Sequence, residues 1–107
     1  MSIQNERIKE QLKELAGQFL AQNGNNSSLL TVTNVVMSKD GKSATILFTV
    51  FPENFEKTAV EFAKRKRSEF KHFVKDKVSF GRIPFMDFAI DVGEKNRQKI
   101  DEISNLD

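Results

Sequence analysis

The sequence contains no cysteine, no tryptophan and no tyrosine, only one histidine and two prolines, and only five glycines in 107 residues. Without cysteine there can be no disulfide framework, no thiolate nucleophile and no cysteine metal site. His72 is the single histidine, and the chain has no glycine-rich phosphate loop, so neither a nucleophile–base pair nor a Walker-type cradle is available. No uninterrupted run of aliphatic or aromatic residues exceeds three, which excludes a membrane-spanning helix. The opening Met1-Ser2-Ile3-Gln4-Asn5-Glu6-Arg7 lacks the apolar core of a secretory signal, so a cytoplasmic location is expected. All ten aromatic residues are phenylalanines, side chains that offer apolar area without a polar handle and therefore belong mostly in a core. With 38% apolar and 30% charged residues, the chain reads as one soluble globular domain spanning residues 1–107. It has no internal repeat.

The most informative stretch runs from Asn54 to Arg82. At roughly 100° per residue, Phe55, Ala59, Phe62, Ala63, Phe70, Phe73 and Val74 fall in one broad sector, the core-facing stripe of a long helix. Lys64, Arg67, Lys71 and Lys75 fall together elsewhere, at spacings of three and four, and line one edge. In a straight helix Lys66 would sit inside the apolar sector, where an unpaired ammonium is costly. The helix is therefore expected to be interrupted near Lys66-Arg67-Ser68.

Charge follows the same division. Residues Lys64 to Arg82 hold eight lysines and arginines against Glu69 and Asp76, a balance of +6, while the remainder carries nine against thirteen, a balance of −4. The net charge of +2 thus conceals a polarised molecule. A basic stripe is the footprint of a polyanion binder, because each cation that neutralises a phosphate releases condensed counterions. A solvated helix face would carry a similar run, but it would not require the opposite sign in the remainder.

The remaining elements follow from periodicity and punctuation. Ile8, Leu12, Leu15, Ala16 and Phe19 give an amphipathic helix over Asn5 to Ala21, and Asn23-Gly24-Asn25-Asn26-Ser27-Ser28 ends it in a loop. Leu29 to Met37 reads as a strand with Leu30, Val32, Asn34 and Val36 on one face and Thr31, Thr33 and Val35 on the other. Asp40-Gly41 marks a tight hairpin into a second, antiparallel strand from Ser43 to Phe51, whose core face is Ala44, Ile46, Phe48 and Val50. Pro52 ends that strand and Asn54 is the expected N-cap of the long helix. Ser79 to Arg82 forms the exit. A third strand over Ile83 to Asp91 places Met86, Phe88 and Ile90 on one face, and a short helix over 94–106 is suggested by Ile100, Ile103 and Leu106. The order helix, strand, strand, long helix, strand is an α+β sandwich with helices on one face of a small sheet.

Two strand segments carry a specific likeness. Leu30-Thr31-Val32-Thr33-Asn34-Val35-Val36-Met37-Ser38-Lys39-Asp40 with Ala44-Thr45-Ile46-Leu47-Phe48-Thr49-Val50 resembles the hairpin of bacterial ribosome-binding factor A. Ile83-Pro84-Phe85-Met86-Asp87-Phe88-Ala89-Ile90-Asp91 and Lys99-Ile100-Asp101-Glu102-Ile103 resemble that family's last strand and closing segment. The resemblance implies a type II KH-like fold with three strands and a kinked helix. It also implies binding to the small ribosomal subunit through its rRNA, a role in late maturation and growth in the cold, and no catalysis. Asn23 to Ser28 stand where the family usually has an Asp-Pro-Arg stretch, Lys66-Arg67-Ser68 align with its Ala-x-Gly kink, and the basic C-terminal extension of some members is absent. A standard KH domain clamps single-stranded RNA with a Gly-x-x-Gly loop, and the five glycines form none.

The reading is therefore a non-enzymatic assembly factor in which Lys64, Arg67, Lys71 and Lys75 meet phosphates, flanked by Lys66, Lys77 and Arg82. It implies no cofactor, no small-molecule substrate, no membrane and a monomer. Two rival classes stand beside it. For an enzyme, His72 would be the base, or Asp87 and Asp91 a carboxylate pair; but residues four apart on a strand lie roughly 13 Å apart, which points to strand-end solvation instead. The other rival is a general RNA-binding or protein-binding KH-like adaptor not tied to the ribosome; a purely protein-binding one would use Phe51, Phe80 or Phe85, for each of which core or edge packing is the expectation.

Overall fold

The computed structural model describes residues 3–24, 27–78 and 81–105. Helix α1 (Ile3–Asn23) is followed by strands β1 (Leu29–Met37) and β2 (Ser43–Phe51), a single 3-10 turn (Glu53–Phe55), helices α2 (Glu56–Arg65) and α3 (Arg67–Lys77), strand β3 (Phe85–Ile90) and helix α4 (Val92–Asn105). The sheet order is β1-β2-β3, with β1 antiparallel and β3 parallel to the central β2. Both outer strands are thus edges. Asn25 and Asn26 of the expected loop, Ser79 and Phe80 of the expected exit, and Leu106 lie outside the described residues, as do the side chains of Lys99 and Ile103.

Helices α1, α2 and α3 cover one face of the sheet. Ala44, Ile46, Phe48 and Val50 of β2 and Met86 and Phe88 of β3 are buried beneath them, together with Leu12, Phe19, Ala59, Ala63, Phe70 and Val74. Four rings link the layers: Phe19 meets Phe70 at 5.2 Å between centroids, Phe70 meets Phe88 at 5.4 Å, and Phe88 meets Phe48 edge-on at 6.3 Å. The hairpin closes as its Asp-Gly pair implies. Gly41 takes φ 73°, Asp40 Oδ1 accepts from the Lys42 N–H at 3.0 Å, and Gly41 N–H donates to the Ser38 carbonyl at 3.0 Å.

The expected alternation of β1 fails half-way along the strand. The pairing with β2 runs in step from Leu29↔Phe51 to Val32↔Phe48, then shifts so that Asn34 opposes Leu47 and Val35 opposes Ile46. Thr33 is the extra residue of a β-bulge, and one extra residue exchanges the faces of everything after it. Val35 is therefore in the core at 1% exposure, while Val36 is 52% exposed on the helix-free face. The inserted Thr33 hydroxyl reaches the Leu47 carbonyl at 3.3 Å and the Asp91 carboxylate at 2.5 Å.

The long helix breaks where the position of Lys66 required. Lys66 joins α2 to α3 with φ −93° and ψ 6°; its N–H is shared between the Phe62 and Ala63 carbonyls at 3.2 and 3.1 Å. This conformation lies at negative φ and is open to any residue, so the turn needs no glycine. The break lifts Lys66 out of the apolar sector. Its Nζ lies 5.9 Å from the Phe62 ring centroid and 3.3 Å from Glu69 Oε1. Two expected helix starts are corrected. Asn54 is not an N-cap, because the 3-10 turn takes up Glu53–Phe55 and Phe55 precedes α2 without any side-chain cap bond. The last helix begins at Val92 rather than 94, because Asp91 Oδ1 accepts the Glu94 N–H at 3.0 Å and caps it. Asp91 thus supports structure rather than simply being solvated at a strand end. Its carboxyl is held below the ordinary range, chiefly by the Thr33 hydrogen bond and then by the Glu94 N–H.

The bulge makes a prediction that an unbroken strand would reverse. Val35→Ala should destabilise the protein by about 2 kcal/mol and Val36→Ala by less than about 0.5 kcal/mol in urea unfolding. On β2, Phe48→Ala should cost about 3 to 5 kcal/mol and Leu47→Ala much less; equal costs would contradict the register.

Candidate nucleic-acid interface

The basic residues of the sequence do not form one straight rail, because the break at Lys66 divides them. Lys64 lies in the last turn of α2 and Arg67 opens α3, and both turn toward the outer strand β3, where Asp87 Oδ1 accepts from Lys64 Nζ at 3.0 Å and from the Arg67 guanidinium at 3.3 Å. Arg67 Nε also donates to the Lys64 carbonyl at 3.1 Å. Asp87 in turn accepts the N–H of Phe88 at 2.8 Å through the same oxygen. One carboxylate thus orients two cations.

Desolvation is the largest single influence on the Asp87 carboxyl and raises its pKa. The Lys64 and Phe88 hydrogen bonds, with the charges of Lys64 and Arg67, together outweigh it and leave the group below the ordinary carboxylate value.

Beyond this pair lies an open groove of about 570 Å³, lined by Lys42, Arg67, Lys71, Arg82, Ile83 and Phe85 among others. Three of the expected binding residues meet there, Arg67, Lys71 and Arg82. Two further groups join them that sequence reasoning did not select. Lys42 comes from the hairpin turn, and Phe85 opens β3 with its N–H on the Lys42 carbonyl at 2.9 Å. Phe85 was expected to pack in the core or at an edge. The residue is instead 66% exposed, with the Arg67 guanidinium carbon 5.9 Å from its ring centroid. Phe51, for which packing was likewise expected, is 70% exposed at the opposite end of the helix-free face. Phe80 lies outside the described residues.

The other expected residues stand apart from the groove. Lys75 is exposed further along α3, Lys77 lies over the Phe73 ring at 5.4 Å, and Lys66 is paired with Glu69. Lys71 and Lys75 have no ion pair among the described residues and so present their full charge outward. His72 is exposed on α3. Among the described residues no cluster of acidic or histidine side chains could hold a metal ion, and no helix is long and apolar enough to cross a membrane. The three-stranded mixed sheet with helices over one face has counterparts among known proteins.

The family model described as ribosome-binding factor A matches residues 4–104. The chain belongs to the ribosome-binding factor A family. Comparison with curated protein sequences finds no match. Among structures, the chain is similar to the crystal structure of ribosome-binding factor A from Thermus thermophilus, with 24% identity and a TM-score of 0.70 over 80% of this chain and 94% of that one. It is also similar to the solution structure of a putative ribosome-binding factor A from Thermotoga maritima, with 22% identity and a TM-score of 0.64 over 78% of this chain and 83% of that one. A homology model of the Thermus thermophilus protein, fitted into a cryo-electron-microscopy map of a 30S–RbfA complex, matches with 26% identity and a TM-score of 0.66 over 76% of this chain and 88% of that one.

The fold is accordingly the KH-like one of ribosome-binding factor A structures. The two helices between which a Gly-x-x-Gly loop would lie are joined here by Lys66 alone. This member of the ribosome-binding factor A family makes its bend without the glycine of the Ala-x-Gly kink.

Asp87 gives a pH test of this geometry. Its lowered pKa means that it contributes stability above the carboxyl's unfolded value and loses that contribution as pH falls through the lower folded one. Asp87→Asn should therefore be less stable than the parent at neutral pH in urea unfolding, with the gap closing in acid. A gap independent of pH would mean that the two ion pairs contribute nothing.

Proposed function

We propose that this chain is a non-enzymatic assembly factor that binds the small ribosomal subunit through its rRNA during late maturation, with a role in growth in the cold. It acts in the cytoplasm as a monomer, residues 1–107 forming one binding unit, and needs neither a cofactor nor a small-molecule substrate. Membership of the ribosome-binding factor A family supports this reading, as does the Thermus thermophilus relative placed in a map of a 30S–RbfA complex. The observation that carries the rRNA part is the gathering of Arg67, Lys71, Arg82 and Lys42 around one open groove, in a chain whose other residues are net acidic.

Phosphates arriving at this surface would meet two kinds of cation. Lys71 and Lys75 stand free of ion pairs among the described residues, whereas Lys64 and Arg67 are held in place by Asp87 and exchange a carboxylate for a phosphate. Lys66, Lys77 and Arg82 flank them. The exchange conserves most of the Coulomb energy of the pair, so these two residues position the RNA more than they add to affinity.

Sedimentation with separated ribosomal subunits tests the reading. The parent chain should travel with the small subunit, and replacing Lys64, Arg67, Lys71 and Lys75 by Gln should abolish this while leaving the fold intact, with only the small stability loss expected from breaking the two partly exposed Asp87 pairs. Each phosphate contact removed should flatten the dependence of log affinity on log salt by about one unit. Replacing Lys9, Lys13 and Lys99, which lie outside the basic stretch, should have little effect. Equal weakening by the control set would refute this surface. Equal binding to any RNA would assign the chain to general RNA binding instead.

A further inference from the structure

Phe85 is a large apolar side chain standing in the open on a paired strand. Its N–H is tied to the Lys42 carbonyl at 2.9 Å and it pairs with Ser43 in the parallel ladder, so its backbone is fixed at the start of β3. Arg67, which lies 5.9 Å from the ring, is itself fixed by Asp87 and by the Lys64 carbonyl. A solitary exposed phenylalanine needs no explanation. This one stands in a groove with Lys42, Arg67, Lys71 and Arg82. The exposed Phe51 makes the contrast: the cleft beside it is lined by Leu20, Leu29, Leu30 and Pro52 among others, with no cation.

We propose that the groove seats one unpaired nucleotide of RNA, with the base stacked on Phe85 and the adjoining phosphates on Lys42, Lys71 and Arg82. The inference rests on the reading of the chain as an rRNA binder and narrows it to a class of RNA. An aromatic face beside cations is how proteins hold single strands, since every base has a π-face and every nucleotide a phosphate. A paired base cannot reach such a ring. Both of its faces are covered in the duplex, and A-form helices present backbone and 2′-hydroxyls to a protein surface. A groove of about 570 Å³ also falls in the size range of sites for small organic ligands. The seat lies at the mouth of β3 and uses no Gly-x-x-Gly loop.

The absence of tryptophan and tyrosine supplies the probe, because Phe85→Trp introduces the sole strong fluorophore of the chain. A single-stranded RNA octamer should quench it, and the same octamer in a blunt duplex should not. Phe51→Trp should respond to neither. Phe85→Ala should bind the single strand about tenfold more weakly with an unchanged salt slope, Phe85→Tyr should restore binding, and duplex binding should be the same for all three. The proposal is overturned if Phe85→Ala binds the single strand as the parent does, if the duplex quenches as strongly, or if polyglutamate of matched length binds as tightly, which would indicate an acidic protein partner. The wider reading is judged separately. If Phe85→Ala is silent while the four-residue Gln variant still loses the small subunit, only the stacking fails. If the parent ignores the small subunit while Phe85→Trp is quenched by the octamer, the nucleotide seat stands and the ribosomal reading fails.

Discussion

Packing of phenylalanine against phenylalanine through the middle of the molecule is the constraint on which the other features depend. Phe19 of α1, Phe70 of α3, Phe88 of β3 and Phe48 of β2 touch in succession, so one line of rings fastens both helical elements to the two strands that carry the site. Aromatic pairs of this kind contribute about 0.5 to 1.5 kcal/mol each beyond the area they bury. Each ring has no polar atom to satisfy, which suits a core with no buried side-chain donor or acceptor left unpaired among the described residues. Because Phe70 must point inward, the face of α3 bearing Lys71 and Lys75 must point outward. The position of the basic surface is thus a by-product of core packing.

Much of this was legible in order along the chain, because it depends on near neighbours. The alternation of Ala44, Ile46, Phe48 and Val50 marked the core face of β2, Asp40-Gly41 marked the turn, and the misplacement of Lys66 in a straight helix marked the break. The features that were not legible depend on distant partners. Thr33 is an ordinary β-branched strand residue whose role as a bulge is set by Leu47 and Asp91, and the swap of Val35 for Val36 follows from it. Lys42 and Phe85 meet only because Ser43 pairs with Phe85 in a parallel ladder across the whole helical pair. One miss was avoidable. Asp91-Val92-Gly93-Glu94 has the spacing of a helix-start signature, an acceptor followed three residues later by glutamate.

The two edge strands solve a shared difficulty in the same way. Asn34 on β1 accepts the N–H of Val35 through its own side chain at 2.9 Å, and Asp87 on β3 accepts the N–H of Phe88 at 2.8 Å. Each short polar side chain occupies a donor at an edge that would otherwise be open to another strand. On β3 the same carboxylate also organises Lys64 and Arg67, so protection of the edge and arrangement of the cations are properties of one group. At the other end of the sheet Lys95 bridges Glu53 and Glu56 at 2.9 and 3.1 Å and ties α4 to the start of α2.

The parallel pairing of β3 with β2 also joins parts of the chain that are far apart in sequence. The hairpin of β1 and β2 closes from residues close in sequence, whereas β3 reaches β2 across the α2–α3 crossover, a pairing with a greater loop-closure cost. Phe85 and Asp87 ride on that strand, while Lys42 and Arg67 belong to the hairpin turn and to α3. The groove is therefore complete only where β3 is paired with β2. Whatever occupies the groove binds the finished molecule selectively, and by mass action draws the folding equilibrium toward it.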